Sequence, residues 1–334
     1  MNLKKESKML NPLIEKAYSV LNGKELDKKL AMELLELKGE DILDLVSLAN
    51  KVKNKYSKTP HVCSIMNAKS GKCSENCKYC AQSVHYQTEL ETYPLVSVET
   101  ILKDAKKVYE NGVRSFGIVT SGWGYTKRDG EFESILEAVD TIYREFPDMK
   151  VCASLGILSE DTARALAEHK IVHYNINLQV NPERYQTLIA DSHTVEMRMD
   201  TVRLLKKYGI KACTGGIFGV GESMEDRIEM AYALKELNVD VVPLNILIPI
   251  PGTPLENQPL VPVDEAAKIF SLFRLILPDK TIKFAAGRET RMKDFQALLM
   301  LSGVNGMLTG GYLTTRGRST DEDKLFLKEL ENFC

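Results

Sequence analysis

The feature that most constrains this chain is a repeated change of period after about residue 60. Short β-prone runs alternate with helical stretches, the pattern of a parallel sheet wrapped by its own crossover helices. In SVETILKDAKKVYENGVRSFGIVTSG, Ser97 can cap a helix that carries Val98, Ile101, Leu102, Ala105 and Val108 on one face. Asn111-Gly112 stops it, and Val113 to Thr120 form the next strand. The same stop-then-strand junction recurs at Tyr208-Gly209, Leu237-Asn238 and Ser302-Gly303. With HVCSIMN, MKVCASLG, IVHYNINL and KTIKFAAG the count of candidate strands reaches eight. Eight strands with intervening helices predict an α/β chain folded as a (β/α)8 TIM-type barrel, with chemistry at the carboxyl ends of the strands. An open doubly wound sheet is the alternative, because periodicity does not demonstrate closure. No Gly-rich dinucleotide fingerprint follows the first strand.

Residues 12–55 read instead as two or three amphipathic helices, with Leu26, Leu30, Leu34 and Leu37 at three- and four-residue steps. The expected organisation is an N-terminal helical extension over 1–58, a barrel over 59–316 and a C-terminal helix or tail over 317–334. The polar stretches 84–94 and 315–323 read as loops. The 44 Lys+Arg against 46 Asp+Glu, with no long basic run, argue against nucleic acid as a partner. No signal-like h-region and no 18-residue apolar stretch occur, so no membrane partner and a cytoplasmic location are expected.

Seven cysteines at uneven spacing, without an export signal, point to metal ligation rather than a disulfide framework. KSGKCSENCKYCAQS holds Cys73, Cys77 and Cys80 in a C-x3-C-x2-C spacing directly after the first strand. Three thiolates can hold three corners of a [4Fe–4S] cubane, and no fourth cysteine lies in the loop to close the last. An open iron can chelate the amino and carboxylate groups of S-adenosylmethionine beside a reductant able to cleave it. The competing reading is a structural zinc site, which needs four closed ligands, with Cys63 and His85 as the nearest additions. The spacing, with Tyr79 just before the third cysteine, resembles the radical S-adenosylmethionine superfamily.

The strings CKYCAQS, YNINLQVNPERY, GIKACTGGIFGVGE, VPLNILIPIPGTPLENQ and AAGRE, spread over residues 60 to 316, resemble the biotin synthase family. That resemblance implies a homodimeric barrel that binds S-adenosylmethionine and dethiobiotin inside, beside an auxiliary iron–sulfur cluster that donates the inserted sulfur. It further implies a small electron-transfer protein as reductant. On their own terms, Asn175 and Asn177 alternate with apolar neighbours and should point to one side, where amides can pair with a ureido ring or a ribose. By resemblance Asn177 and Asn245 contact dethiobiotin or the nucleoside, with Asn175 beside them. Arg198, which alone reads as a solvated helix charge, matches the position that pairs with the methionyl carboxylate. Gly215 to Glu222, including Ile217 and Gly219, form a Gly-rich turn where bare backbone lets an adenine approach closely. Thr314 and Thr315 match the pair that binds the dethiobiotin carboxylate.

The chain departs from the family at the auxiliary site, whose usual [2Fe–2S] cluster is held by three cysteines and one arginine. Cys152 and Cys213 match two of those cysteines; the third position is Gly117 and the arginine position is Lys283. An ammonium is a poor substitute for a guanidinium ligand and suits a counter-charge better. Cys63, on the first strand, stands where the family usually has another residue. Cys63, Cys152 and Cys213 could converge inside the barrel, where three thiolates fit a cubane whose open iron carries an extra sulfide. Free cysteines packed as small apolar residues are the alternative. Gln179 replaces a ribose-contacting carboxylate. This pattern resembles the anaerobe-type branch of the family. A maturase similar to the hydrogenase-assembly branch, and a non-catalytic iron–sulfur carrier, are the competing functions.

Overall fold

The computed structural model describes residues 10–57, 59–310 and 318–333. Eight parallel strands form the wall: β1 (His61–Lys69), β2 (Ser115–Thr120), β3 (Lys150–Ser154), β4 (His173–Asn175), β5 (Lys211–Cys213), β6 (Val241–Ile246), β7 (Thr281–Phe284) and β8 (Gly306–Leu308). Each pairs with its neighbours in chain order, and β8 pairs with β1 through His61↔Gly306 and Cys63↔Leu308. That last ladder closes the sheet, so the barrel holds and the open doubly wound sheet does not.

The first crossover shows why the chain folds this way. Ser97 Oγ accepts from Thr100 N at 3.3 Å and starts the helix Val98–Glu110, whose Ile101 and Ala105 are fully buried against the sheet. Gly112, at φ 77°, ends it in the left-handed region and returns the chain to β2. Fully burying Ile101 contributes roughly 1.5–3 kcal/mol, and Ala105 less. The fifth strand departs from the expected continuous run: β5 stops at Cys213 and Gly216–Phe218 resumes along β6. At Gly215 a Cβ would stand 2.0 Å from Pro243 O, so only glycine lets the two strands approach here.

Among the described residues the N-terminal extension holds three α-helices, Pro12–Ala17, Lys28–Leu34 and Glu40–Tyr56, the first two capped by Asn11 and Asp27. The third packs on the barrel helix Val263–Ile276. Residues 84–94 form a loop, as expected, but the loop expected over 315–323 is corrected. A helix, Thr320–Glu331, begins inside it, because Ser319 and Glu322 form a reciprocal capping box. The helix is clasped by Arg288, whose Nη2 donates to both carboxylate oxygens of the buried Asp323 at 2.9 Å. Residues 315–317 lie outside the described residues.

Candidate active site

Strand alternation and ladder register assign the barrel's interior. In β1 the odd residues His61, Cys63 and Ile65 face inward, confirmed at Gly117, where a Cβ would meet Ile65 Cγ2 at 3.0 Å. The register Gly117↔Cys152↔His173 then carries the inward face through β2, β3 and β4. The interior is one column with two parts. Cys63, Gly117, Cys152, Cys213, Lys283, His61 and His173 line a deep chamber. Cys73, Cys77, Cys80, Tyr79, Gln179, Arg198 and Ile217 line a pocket above it, at the carboxyl ends of the strands. Asn175, Asn177 and Asn245 line both.

The upper pocket is built on a loop, and hydrogen bonds hold its shape. Cys73 N donates to Gln82 O at 2.9 Å and Cys80 N to Cys77 O at 2.9 Å, folding the cysteine loop back on itself. Burial pushes the Cys77 thiol up to about 12 and Cys80 to about 11, while the Arg198 guanidinium pulls both the other way. Such thiols ionise against a strong cation, which iron supplies. Among the described residues no three His, Cys, Asp or Glu side chains are close enough to hold a single metal ion, and the three thiols instead border the same pocket. That arrangement and the chemistry of three soft donors fit a cubane bound through three corners.

Arg198 is no solvated helix charge. Its Nε donates to Tyr185 Oη at 2.7 Å, its Nη1 to Asn177 O at 3.1 Å, and its Nη2 stands 3.0 Å from His193 Nε2. His193 Nδ1 in turn lies 2.6 Å from Glu75 Oε2, inside the cysteine loop, and Ser192 Oγ donates to the same carboxylate at 2.7 Å. Burial would raise the Glu75 carboxyl, but hydrogen bonds from Ser192, Ser74 and His193 hold it below the ordinary range. An ionised Glu75 accepts from Nδ1–H, which leaves Nε2 as an acceptor facing Arg198 and Tyr185. Sequence reasoning missed Glu75, Ser192, His193 and Tyr185, since no local period links a loop between two cysteines to a loop 118 positions away.

Other expected contacts fall less simply. Gln179 Nε2 donates to Tyr79 Oη at 2.6 Å, joining two of the expected cofactor contacts. Ile217 lines the pocket, but Gly219 does not: its N–H donates to Glu222 Oε1 at 2.8 Å, and Glu222 pairs with Arg227 at 2.7 Å. The glycine-rich turn is thus held by a carboxylate of its own, with Gly219 in the left-handed region at φ 95°. Asn245 and Asn177 find partners in the barrel backbone. Asn245 Nδ2 donates to Gly216 O at 2.9 Å and its Oδ1 accepts from Ala286 N at 3.0 Å; Asn177 Oδ1 accepts from Gly215 N at 3.0 Å and from Asn175 Nδ2 at 3.1 Å. Thr314 and Thr315 lie outside the described residues.

The lower chamber is built on strands. Cys63, Cys152 and Cys213, from β1, β3 and β5, line it together, and Lys283 from β7 donates from Nζ to Cys63 Sγ at 3.0 Å. Burial alone would drive that ammonium toward neutrality, but the sulfurs of Cys63 and Cys213 beside it hold it charged. Asn175 Nδ2 lies 3.7 Å from Cys213 Sγ, and Cys152 Sγ lies 3.4 Å from Ser115 Oγ and 3.7 Å from His173 Nδ1. Gly117 presents bare backbone to this chamber, as its identity requires. Three thiols with a buried cation fit an anionic iron–sulfur unit, and Lys283 offers charge compensation rather than a guanidinium fork. His61 and His173 were also missed, although each sits two residues before a residue already singled out on the same strand face, a period-two signal visible in the sequence.

Residues 68–246 match the Radical SAM superfamily, and residues 243–332 match the Biotin and Thiamin Synthesis associated domain. A biotin synthase of Chlorobium luteolum is 57% identical over 326 residues, covering 97% of this chain and 98% of the relative. One of Chlorobium phaeobacteroides is 55% identical, covering 97% of each. In fold the chain is similar to methylornithine synthase, with a TM-score of 0.79 at 20% identity over 96% of this chain and 95% of that one. It is equally similar to the FeFe-hydrogenase maturase HydG of Carboxydothermus hydrogenoformans, with a TM-score of 0.79 at 21% identity over 96% of this chain and 77% of that one. Two thiol sites stacked in one parallel barrel, with sequence identity above one half along almost the whole length, lead to one assignment: this chain belongs to the biotin synthase family of radical S-adenosylmethionine enzymes.

Proposed function

We infer that this chain inserts sulfur into dethiobiotin to form biotin, with the upper pocket generating radicals and the lower chamber holding the sulfur. The observation that carries the reading is the vertical order of the interior: three loop thiols above, three strand thiols below, and three asparagines lining the space common to both. Cys73, Cys77 and Cys80 hold a [4Fe–4S] cluster that, when bound, supplies the electron cleaving S-adenosylmethionine to a 5′-deoxyadenosyl radical. Arg198, fixed by His193 and Tyr185, binds the methionyl carboxylate; Tyr79, Gln179 and Ile217 flank the nucleoside. Asn175, Asn177 and Asn245 orient the ureido ring, and Thr314 and Thr315 take the substrate carboxylate. Cys63, Cys152 and Cys213 would hold an auxiliary iron–sulfur cubane, which would supply the sulfide to be inserted, with Lys283 as its counter-charge. A small electron-transfer protein serves as reductant, and the enzyme works as a cytoplasmic homodimer; among the described residues no helix is long and apolar enough to cross a membrane.

Anaerobically reconstituted protein given S-adenosylmethionine, dethiobiotin and a chemical reductant should form biotin and 5′-deoxyadenosine. Cleavage of S-adenosylmethionine that leaves dethiobiotin untouched would favour the maturase reading instead.

A further inference from the structure

The three asparagines of the interior do not offer a ligand the same chemistry, and the backbone decides what each one shows. A backbone N–H can only donate and a backbone carbonyl can only accept, so an amide side chain bonded to either has its orientation fixed. Asn177 Oδ1 accepts from Gly215 N at 3.0 Å, which rules out the flipped amide, whose NH2 would face a donor. Asn175 Nδ2 donates to Cys213 O at 3.0 Å, so the bond from the same nitrogen to Asn177 Oδ1 at 3.1 Å is fixed in direction too. Ser154 Oγ engages the other end of the Asn175 amide, donating to Oδ1 at 3.4 Å. Asn245 is set in the same way, its Oδ1 accepting from Ala286 N and its Nδ2 donating to Gly216 O.

The valences left over therefore differ. An amide carries two N–H donors and two acceptor lone pairs. Gly215 and Asn175 take both lone pairs of Asn177, while neither of its N–H groups has a partner among the described residues. Asn177 lines both parts of the interior, and what it shows there is donors alone. Asn175 spends both of its own N–H groups, on Asn177 and on Cys213, and has no donor left to give. Asn245 keeps one N–H and one lone pair. A carbonyl oxygen satisfies the face at Asn177; a donor placed there would leave N–H groups opposed and unpaired, which is costly in a buried site.

We propose that Asn175 is a positioning residue for substrate selection: by occupying the second lone pair of Asn177 it keeps that amide a pure donor, so the site takes a ureido carbonyl and rejects a cyclic guanidinium of the same shape. This rests on the reading of the shared space as the dethiobiotin site. Asn175 serves the ureido ring through Asn177, and the selection is made by hydrogen bonds alone.

The test is equilibrium binding to the reconstituted holoenzyme, with S-adenosylmethionine present and reductant withheld. The two ligands are dethiobiotin and its guanidinium analogue, in which an NH2 group replaces the ureido oxygen. Wild type should bind dethiobiotin about a hundred-fold more tightly. Asn175→Ala frees a lone pair of Asn177 and the space beside it, so a donor can pair there and the preference should fall about ten-fold. The analogue's charge acts equally in both proteins, since Lys283 and both cysteine triads are unchanged. Cys213 O keeps Ile176 N as a donor at 3.1 Å, which retains the strand end in the variant. A purely structural role for Asn175 would weaken both ligands alike; a preference left at its wild-type value would thus overturn the proposal. Equal binding of the two ligands by wild type would overturn it without any variant. Wild type that binds S-adenosylmethionine but neither ligand would instead sink the dethiobiotin reading on which the proposal rests.

Discussion

The two thiol triads are held by opposite means. Cys73, Cys77 and Cys80 lie within one loop, and their geometry depends on hydrogen bonds that reach as far as Glu75, Ser192 and His193. Cys63, Cys152 and Cys213 come from three different strands, and their geometry is fixed by ladder register, which cannot slip without turning each side chain out of the barrel. The loop site can therefore adjust to a cosubstrate that comes and goes, while the strand site is a fixed cradle. The same contrast predicts where change is tolerated: ligands on strands can migrate between neighbours, as Cys63 on β1 and Gly117 on β2 suggest, since both face one chamber.

The largest effect should come from the loop. Cys77→Ala should abolish 5′-deoxyadenosine formation while leaving iron in the lower chamber, read by chromatography and iron analysis. Cys213→Ala should do the reverse: S-adenosylmethionine is still cleaved, but biotin formation falls to background. A variant in either triad that lost both activities with both clusters intact would break the division of labour. Smaller effects should follow in the hydrogen-bond chain. His193→Ala removes an acceptor for Arg198 and a donor to Glu75, and should weaken S-adenosylmethionine binding by about 1–3 kcal/mol, read as a raised KM more than a lowered kcat. Glu75→Gln keeps an acceptor for Nδ1–H but loses the charge, and should cost about 0.5–1.5 kcal/mol in the same assay. Equal KM values across both variants and wild type would show that Arg198 needs no such support.

Much of this was legible in the sequence where the relevant period is short. The alternation of strands and helices marked all eight wall strands, and three cysteines within eight positions marked the upper site. Arg198 was legible only by resemblance, because its burial comes from Tyr185 and His193 folding over it, neither of which its own helix foretells. The break in the fifth strand was hidden for a similar reason: it depends on the Pro243 carbonyl of the neighbouring strand. The capping box at Ser319 and Glu322 was local and readable, and the polar composition of 315–323 masked it.

Iron stoichiometry tests most directly whether Cys63 replaces the ligand absent at Gly117. In anaerobically reconstituted Cys63→Ala, iron should fall from about eight per chain toward about four, on the arithmetic of two four-iron clusters losing one. 5′-Deoxyadenosine formation should persist. Full iron content together with undiminished biotin formation would contradict the claim and return Cys63 to the barrel as a small apolar side chain beside Lys283.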